Sequence, residues 1–172
     1  MIPELLFAAG CIVEQQEGIE PLRIVDTITL QNLPENKYLS IEPSDRFQID
    51  YVLEHPMPIG VQKYCFTGNK DAFVCDIAPA RTFGFLKDFN KLEKMGLGSG
   101  GRISNVIILN DEGVINTQLR FSDEFVRHKV LDLIGDLYLL NRPILGKVTA
   151  RQTGHLENIA LVKELRNSKN HT

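Results

Sequence analysis

Between Phe121 and Asp136 the chain reads Phe-Ser-Asp-Glu-Phe-Val-Arg-His-Lys-Val-Leu-Asp-Leu-Ile-Gly-Asp. Three polar residues in it, His128, Asp132 and Asp136, recur every fourth position. On a helix, side chains at that spacing stack on one face, drifting by roughly 40° per step. The rest of the stretch is rich in Val, Leu and Ile, so the pattern predicts a helix buried on one side with an imidazole and two carboxylates along one stripe. Solvated stripes usually carry Lys and Glu, whereas His with Asp suits a metal or acid–base site. Ser122 offers an N-cap, and Asp123 and Glu124 suit the positive end of the helix dipole. The helix is expected to run to about Leu140. Gly135 inside it costs about 1 kcal/mol, which points to close packing at that position.

Upstream, the periodicity changes to that of strands. Phe47, Ile49, Tyr51 and Leu53 alternate with Gln48, Asp50, Val52 and Glu54, the pattern of a half-buried strand. Val61–Thr67 follows after His55-Pro-Met-Pro58, and Arg23–Gln31 and Tyr38–Glu42 are weaker strand candidates around the turn-like Asn32–Asn36. Together they predict an antiparallel meander. Asn69 can cap a helix reaching toward Pro79, and further helices are expected over Pro3–Gln16, Leu86–Met95 and Gly154–Arg166. Ile103–Asn110 and Ile144–Arg151 complete the strands.

A formal net charge of -3 supplies no basic field for general nucleic-acid binding. Three cysteines, Cys11, Cys65 and Cys75, lack CxxC spacing, which argues against a disulfide framework or zinc knuckle and for a reducing, cytoplasmic setting. The start lacks the basic n-region of a signal peptide, and no apolar run reaches membrane-spanning length.

His128 and Asp132, one helical turn apart, let an imidazole nitrogen and a carboxylate oxygen approach one cation. The same spacing also suits a solvated His–Asp pair. His155 follows Gly154 where a strand gives way to a helix, a position suited to a reactive group and equally to a histidine capping its own helix. Asp136 on a neighbouring helix could set its tautomer and favour an acid role. Gly96–Gly101 lacks the Lys-Ser/Thr ending of a phosphate loop and precedes a strand, so a hinge or close-packing turn is the simpler reading. Phe83 and Phe85, two apart in an extended segment, are expected to point the same way, either into the core or along an apolar ligand wall.

Ala80-Arg-Thr-Phe-Gly-Phe85, Gly100-Gly101, Leu119-Arg-Phe121, Asp123-Glu-Phe-Val-Arg-His-Lys129, Leu131-Asp132, Ile134-Gly-Asp-Leu137 and Gly154-His155 occur in this order. With these motifs the sequence resembles the second half of UDP-3-O-acyl-N-acetylglucosamine deacetylase, a zinc hydrolase of lipid A biosynthesis. The resemblance implies an α+β fold: a two-layer sandwich with a mainly antiparallel sheet, helices on one face, and a small inserted βαβ-like subdomain at about residues 84–109 that helps shape an acyl-chain tunnel. Residues 1–18 would be the last helix of a first domain and 19–172 the second.

By the same resemblance, His128 and Asp132 match two of three Zn2+ ligands. His155 matches the general acid or electrostatic catalyst, with Asp136 orienting it. Thr82 matches the residue that hydrogen-bonds the developing oxyanion, and Lys129 faces the anionic substrate. Phe83 and Phe85 match aromatic positions near the substrate, and Arg151 stands beside the expected diphosphate contact. The implied chemistry is metal-assisted amide hydrolysis of UDP-3-O-acyl-N-acetylglucosamine.

The sequence also departs from the family. The family's first domain supplies a Glu-His pair as general base and third ligand. Here Glu54-His55 lies in the meander instead. Gln152 stands where the family often has a lysine, and Arg102 stands where a small residue usually follows the glycine pair. The chain is thus expected to contribute part of an active site, with a separate or missing first domain as partner. The rival expectation is a catalytically incomplete fragment or relic that keeps the fold as a binding or regulatory module.

Overall fold

The computed structural model describes residues 18–88 and 105–168. The expected first helix and the glycine loop Gly96–Gly101 lie outside these residues, as does most of the expected helix Leu86–Met95.

The scaffold is a five-stranded sheet. Its strands are β2 (Ile28–Thr29), β3 (Tyr38–Glu42), β4 (Gln48–Glu54), β5 (Val61–Phe66) and β9 (Lys147–Arg151), in the order β2-β3-β9-β4-β5. The β2–β3, β3–β9 and β4–β5 ladders are antiparallel and β4–β9 is parallel. The sheet is therefore mainly antiparallel, but it is not the simple meander expected, because the late strand β9 lies between β3 and β4. The alternation expected for β4 holds: Ile49, Tyr51 and Leu53 are buried while the residues between them are half-exposed. Val148 and Ala150 of β9 are buried on the same rule.

Two helices cover that apolar face. α2 (Glu124–Leu137) contributes Phe125, Val126, Val130, Leu133 and Leu137, and α3 (His155–Asn167) contributes Leu161, Val162 and Leu165, all in one core with the strand residues above. This is an α+β arrangement with both helices in the second layer. A short helix, α1 (Lys70–Ala72), starts on Asn69, whose side chain accepts from the Asp71 and Ala72 N–H groups, and continues as a wider turn over Phe73–Ile77. Strand β6 (Thr82–Phe85) pairs in parallel with β7 (Val106–Leu109) as a separate small sheet. A third pair, β1 (Leu22–Arg23) with β8 (Ile144–Leu145), is also parallel.

Three local expectations are corrected. The last strand breaks at Gly146, where a Cβ would lie 2.6 Å from the Ile24 side chain and 3.3 Å from the Glu42 carbonyl, so only glycine lets the backbones approach. The N-cap of α2 is Asp123 rather than Ser122, and the Asp123 carboxylate bonds Arg127 instead of the helix N–H groups. Gly135 is exposed and a Cβ there would meet nothing within 4 Å, so close packing does not explain it. No described helix is long and apolar enough to cross a membrane.

Candidate active site

The polar stripe of α2 exists as expected, with a division of labour along it. His128 Nε2 lies 3.3 Å from Asp132 Oδ1, and Lys129 Nζ lies 3.0 Å from the other oxygen, Oδ2. The second imidazole nitrogen, His128 Nδ1, lies 3.4 Å from the Ala80 carbonyl oxygen. Each nitrogen thus faces an oxygen that can only accept. Burial disfavours the charged imidazole and pulls the His128 pKa below its ordinary value, against the opposing pull of Asp132 and Ala80. A neutral imidazole has one N–H, so one of its two contacts is left with lone pair facing lone pair. A proton on Nδ1, directed at Ala80, leaves Nε2 and Asp132 Oδ1 as two unsatisfied donors of electron pairs, 3.3 Å apart, the spacing of neighbouring ligand atoms on one small cation. That nitrogen–oxygen set fits a borderline divalent ion such as zinc, and the backbone carbonyl behind Nδ1 is the usual second support of a ligating histidine. Among the described residues, no group of three or more His, Cys, Asp or Glu side chains could hold a metal.

What holds Ala80 against His128 is a buried ion pair that looks unremarkable in the sequence. Glu124, in the first turn of α2, is fully buried. Its Oε1 accepts from Arg81 Nε at 2.9 Å and from the Arg81 backbone N–H at 3.1 Å. Its Oε2 accepts from Arg81 Nη2 at 3.1 Å and from the Arg120 N–H at 2.6 Å. Burial alone would raise the Glu124 pKa, but Arg81 and the two backbone donors outweigh it and hold the carboxyl below its usual range. Arg81 also reaches Thr117 Oγ1 and the Gln118 carbonyl. This clamp ties the start of β6, with Thr82 and Phe83, to α2. Phe83 packs edge-on against Phe125 at 4.9 Å between ring centres and lies 6.3 Å from the His128 ring.

The second half of the site is the start of α3. His155 Nδ1 is 2.8 Å from Asp136 Oδ2, the contact expected from the sequence. The same oxygen accepts from Asn158 Nδ2 at 2.8 Å. The loop presenting His155 is tied at each residue. Gln152 sits in the left-handed region at φ 56°, and its side-chain amide bonds the Glu54 backbone through both Oε1 and Nε2. Thr153 accepts the Tyr51 hydroxyl at its carbonyl, 2.7 Å, and the Gly154 N–H donates to Glu157 at 2.8 Å. Tyr51 is buried, which pushes its phenol up to about 12, so its hydroxyl remains a donor.

The structure brings His128, Lys129 and Asp132 together on α2, with Phe83 beside the His128 ring, and pairs Asp136 with His155. Thr82 is exposed on β6, two residues past the Ala80 carbonyl. Phe85, like Phe83, packs against the core but meets other neighbours: it stacks on His55 at 5.2 Å and lines a cavity of about 300 Å³ with Leu86, Lys87, Leu109, Asn110 and Asp111. Arg151 lies apart from the others. It alternates with buried Ala150 and pairs with Glu54 at 2.6 Å, on the sheet face opposite the helices.

A family model for UDP-3-O-acyl N-acetylglycosamine deacetylase matches residues 4–167. The chain belongs to that deacetylase family. Similar proteins carry the name UDP-3-O-acyl-N-acetylglucosamine deacetylase. One from Leptospira biflexa is 42% identical over 150 residues, 86% of this chain and 49% of that protein. One from Campylobacter lari is 41% identical over 162 residues, 90% of this chain and 55% of the relative. One from Myxococcus xanthus is 40% identical over 164 residues, 94% and 51% respectively. The chain spans about half the length of the curated relatives it matches.

Three residues bonded to the candidate site or to the segments that carry it escaped the sequence reading: Glu124, Tyr51 and Asn158. Glu124 was visible only as a helix-dipole acid and Tyr51 only as one apolar step in a strand. Asn158 carried a signal of its own, since three positions after His155 it shares that residue's helix face.

Proposed function

We propose that the chain forms the second domain of a zinc-dependent deacetylase that hydrolyses the N-acetyl group of UDP-3-O-acyl-N-acetylglucosamine in lipid A synthesis. The observation that carries this reading is the paired Nε2 and Oδ1 of His128 and Asp132, which lack a proton to share once Nδ1 is turned to Ala80. When bound there, zinc would supply Lewis-acid polarisation of the amide carbonyl and a water of lowered pKa.

The chain's own residues do the rest. Asp136 holds Nδ1 of His155, so the exposed Nε2 edge is free to act on substrate. A protonated His155 stabilises negative charge on the carbonyl oxygen and passes its proton to the leaving amine as the C–N bond breaks. Acetate and the free amine are the products, with water consumed. The Thr82 hydroxyl is a second donor for the oxyanion. Lys129 neutralises one oxygen of Asp132 and adds positive charge on the substrate side. Phe83 and the cavity beside Phe85 offer apolar surface to the acyl chain. Arg151, engaged with Glu54 on the far face, does not support a substrate contact.

The third ligand and the general base would come from a first domain, as in the family's pattern. The absence of a three-donor cluster among the described residues favours a chain that is catalytically incomplete by itself. The test is calorimetric titration of the chain with Zn2+, alongside His128→Ala and Asp132→Ala. The expected result is one weak site lost in both variants. Equal binding by the parent and both variants would defeat the assignment. Joined to a family first domain, His155→Ala should keep its zinc and lose turnover by roughly 100-fold or more.

A further inference from the structure

We infer that Asn158 is a positioning residue of this site: its buried amide locks the Asp136 carboxylate, and the locked carboxylate holds the Nδ1–H of His155, so the neutral ring is bare at Nε2 and the further proton that makes it an acid sits on Nε2. The inference takes the purpose of His155 from the proposed function, but its geometry stands independently.

The side chain of His155 is 64% exposed. An imidazole that open to water ordinarily samples several rotamers and both tautomers, and a hydrogen bond to a carboxylate free to turn would not stop it. Asp136 is not free to turn. Asn158 Nδ2 and His155 Nδ1 converge on the same oxygen, Oδ2, each at 2.8 Å. Asn158 cannot move aside, because it is fully buried in the first turns of α3 and its backbone N–H is bonded to the Gly154 carbonyl. The orientation of the amide follows from chemistry, since a carboxylate accepts and only the NH2 end can donate to it.

The other end of that amide is the second observation. Asn158 Oδ1 is buried with no hydrogen-bond partner. A fully buried amide with an unsatisfied oxygen is unfavourable for the fold, and a leucine of similar size would fill the same space without that cost. The fold therefore carries an unfavourable residue whose one satisfied group is aimed at Asp136. Such local conflicts concentrate where geometry serves a site.

Asn158→Leu and Asn158→Ala both remove the donor, one at nearly constant volume and one without steric risk. The measurement is a long-range 1H–15N correlation spectrum of the labelled chain above pH 8, where ordinary imidazoles are neutral, with His155 assigned through His155→Gln. The parent should show His155 as the Nδ1–H tautomer. In either folded variant, that population should fall by about half or more, while Asn158→Leu melts no lower than the parent. A packing role alone would lower the melting temperature and leave the tautomer unchanged. An unchanged tautomer in a folded variant overturns the inference, as does loss of the folded spectrum in both. Zinc titration of the same variants reads His128 and Asp132, so failure of the metal assignment remains distinguishable.

Discussion

Replacing Glu124 by Gln tests how much of the site rests on the buried clamp. The change is nearly isosteric, so packing is kept while the charge is lost. Of the four donors on the carboxylate, two can still meet the amide oxygen. The other two, Arg81 Nη2 and the Arg120 N–H, would face an NH2 group. Removing one partner of a buried ion pair typically costs about 3–5 kcal/mol. Arg81 keeps Thr117 and Gln118 as acceptors and has 11% of its side chain exposed, which places the expected loss near the lower end, about 3 kcal/mol. For a chain of this size, that corresponds to a fall in Tm of about 6–12 °C.

The pH dependence has a definite sign. The folded carboxyl titrates below its unfolded value, so its stabilisation is fully present above about pH 4.5 and is lost as pH falls through the depressed folded pKa. Urea denaturation followed by circular dichroism, at pH 7 and in steps toward pH 3, should show parent and Glu124→Gln converging in acid. A difference under about 1 kcal/mol at pH 7, or one that does not change with pH, would refute the reasoning.

Two further outcomes are expected. Gly135→Ala should raise stability by about 0.5–1 kcal/mol, because an exposed mid-helix glycine with open space around it has only its backbone freedom to lose; denaturant midpoints with an unchanged slope would show it. Gln152→Lys, which installs the lysine expected from the family resemblance, should lower stability by about 1–3 kcal/mol, since a lysine cannot satisfy both the Glu54 N–H and carbonyl. An equal midpoint for parent and variant would show those bonds to be dispensable.

How much of this was legible in the sequence depended on how local the cause was. The β4 alternation and the His128–Asp132 spacing are periodic signals within one element, and both survive folding intact. The Asp136–His155 contact crosses elements, yet it was expected from a carboxylate on the neighbouring helix and from the family motifs that carry both residues. The roles of Glu124, Tyr51 and Asn158 come from what burial does to ordinary polar side chains, and burial belongs to the tertiary arrangement. Gly135 misled for the complementary reason: a propensity cost marks a position without saying whether packing or open space surrounds it. The placement of β9 was illegible because strand order is not written in strand pattern. Arg151 illustrates register, since a one-residue step along a strand moves a side chain to the opposite face.

The seat of β9 between β3 and β4 has a consequence for synthesis. Tyr51 and Thr153 are 102 positions apart, so the centre of the sheet closes only once β9 has followed β3, β4 and β5 out of the ribosome. Until then the β4–β5 hairpin and β3 each present an unpaired edge to solvent. Long-range closure of this kind is slow, and nascent chains stalled before Lys147 should depend on chaperones that chains extending past α3 can do without.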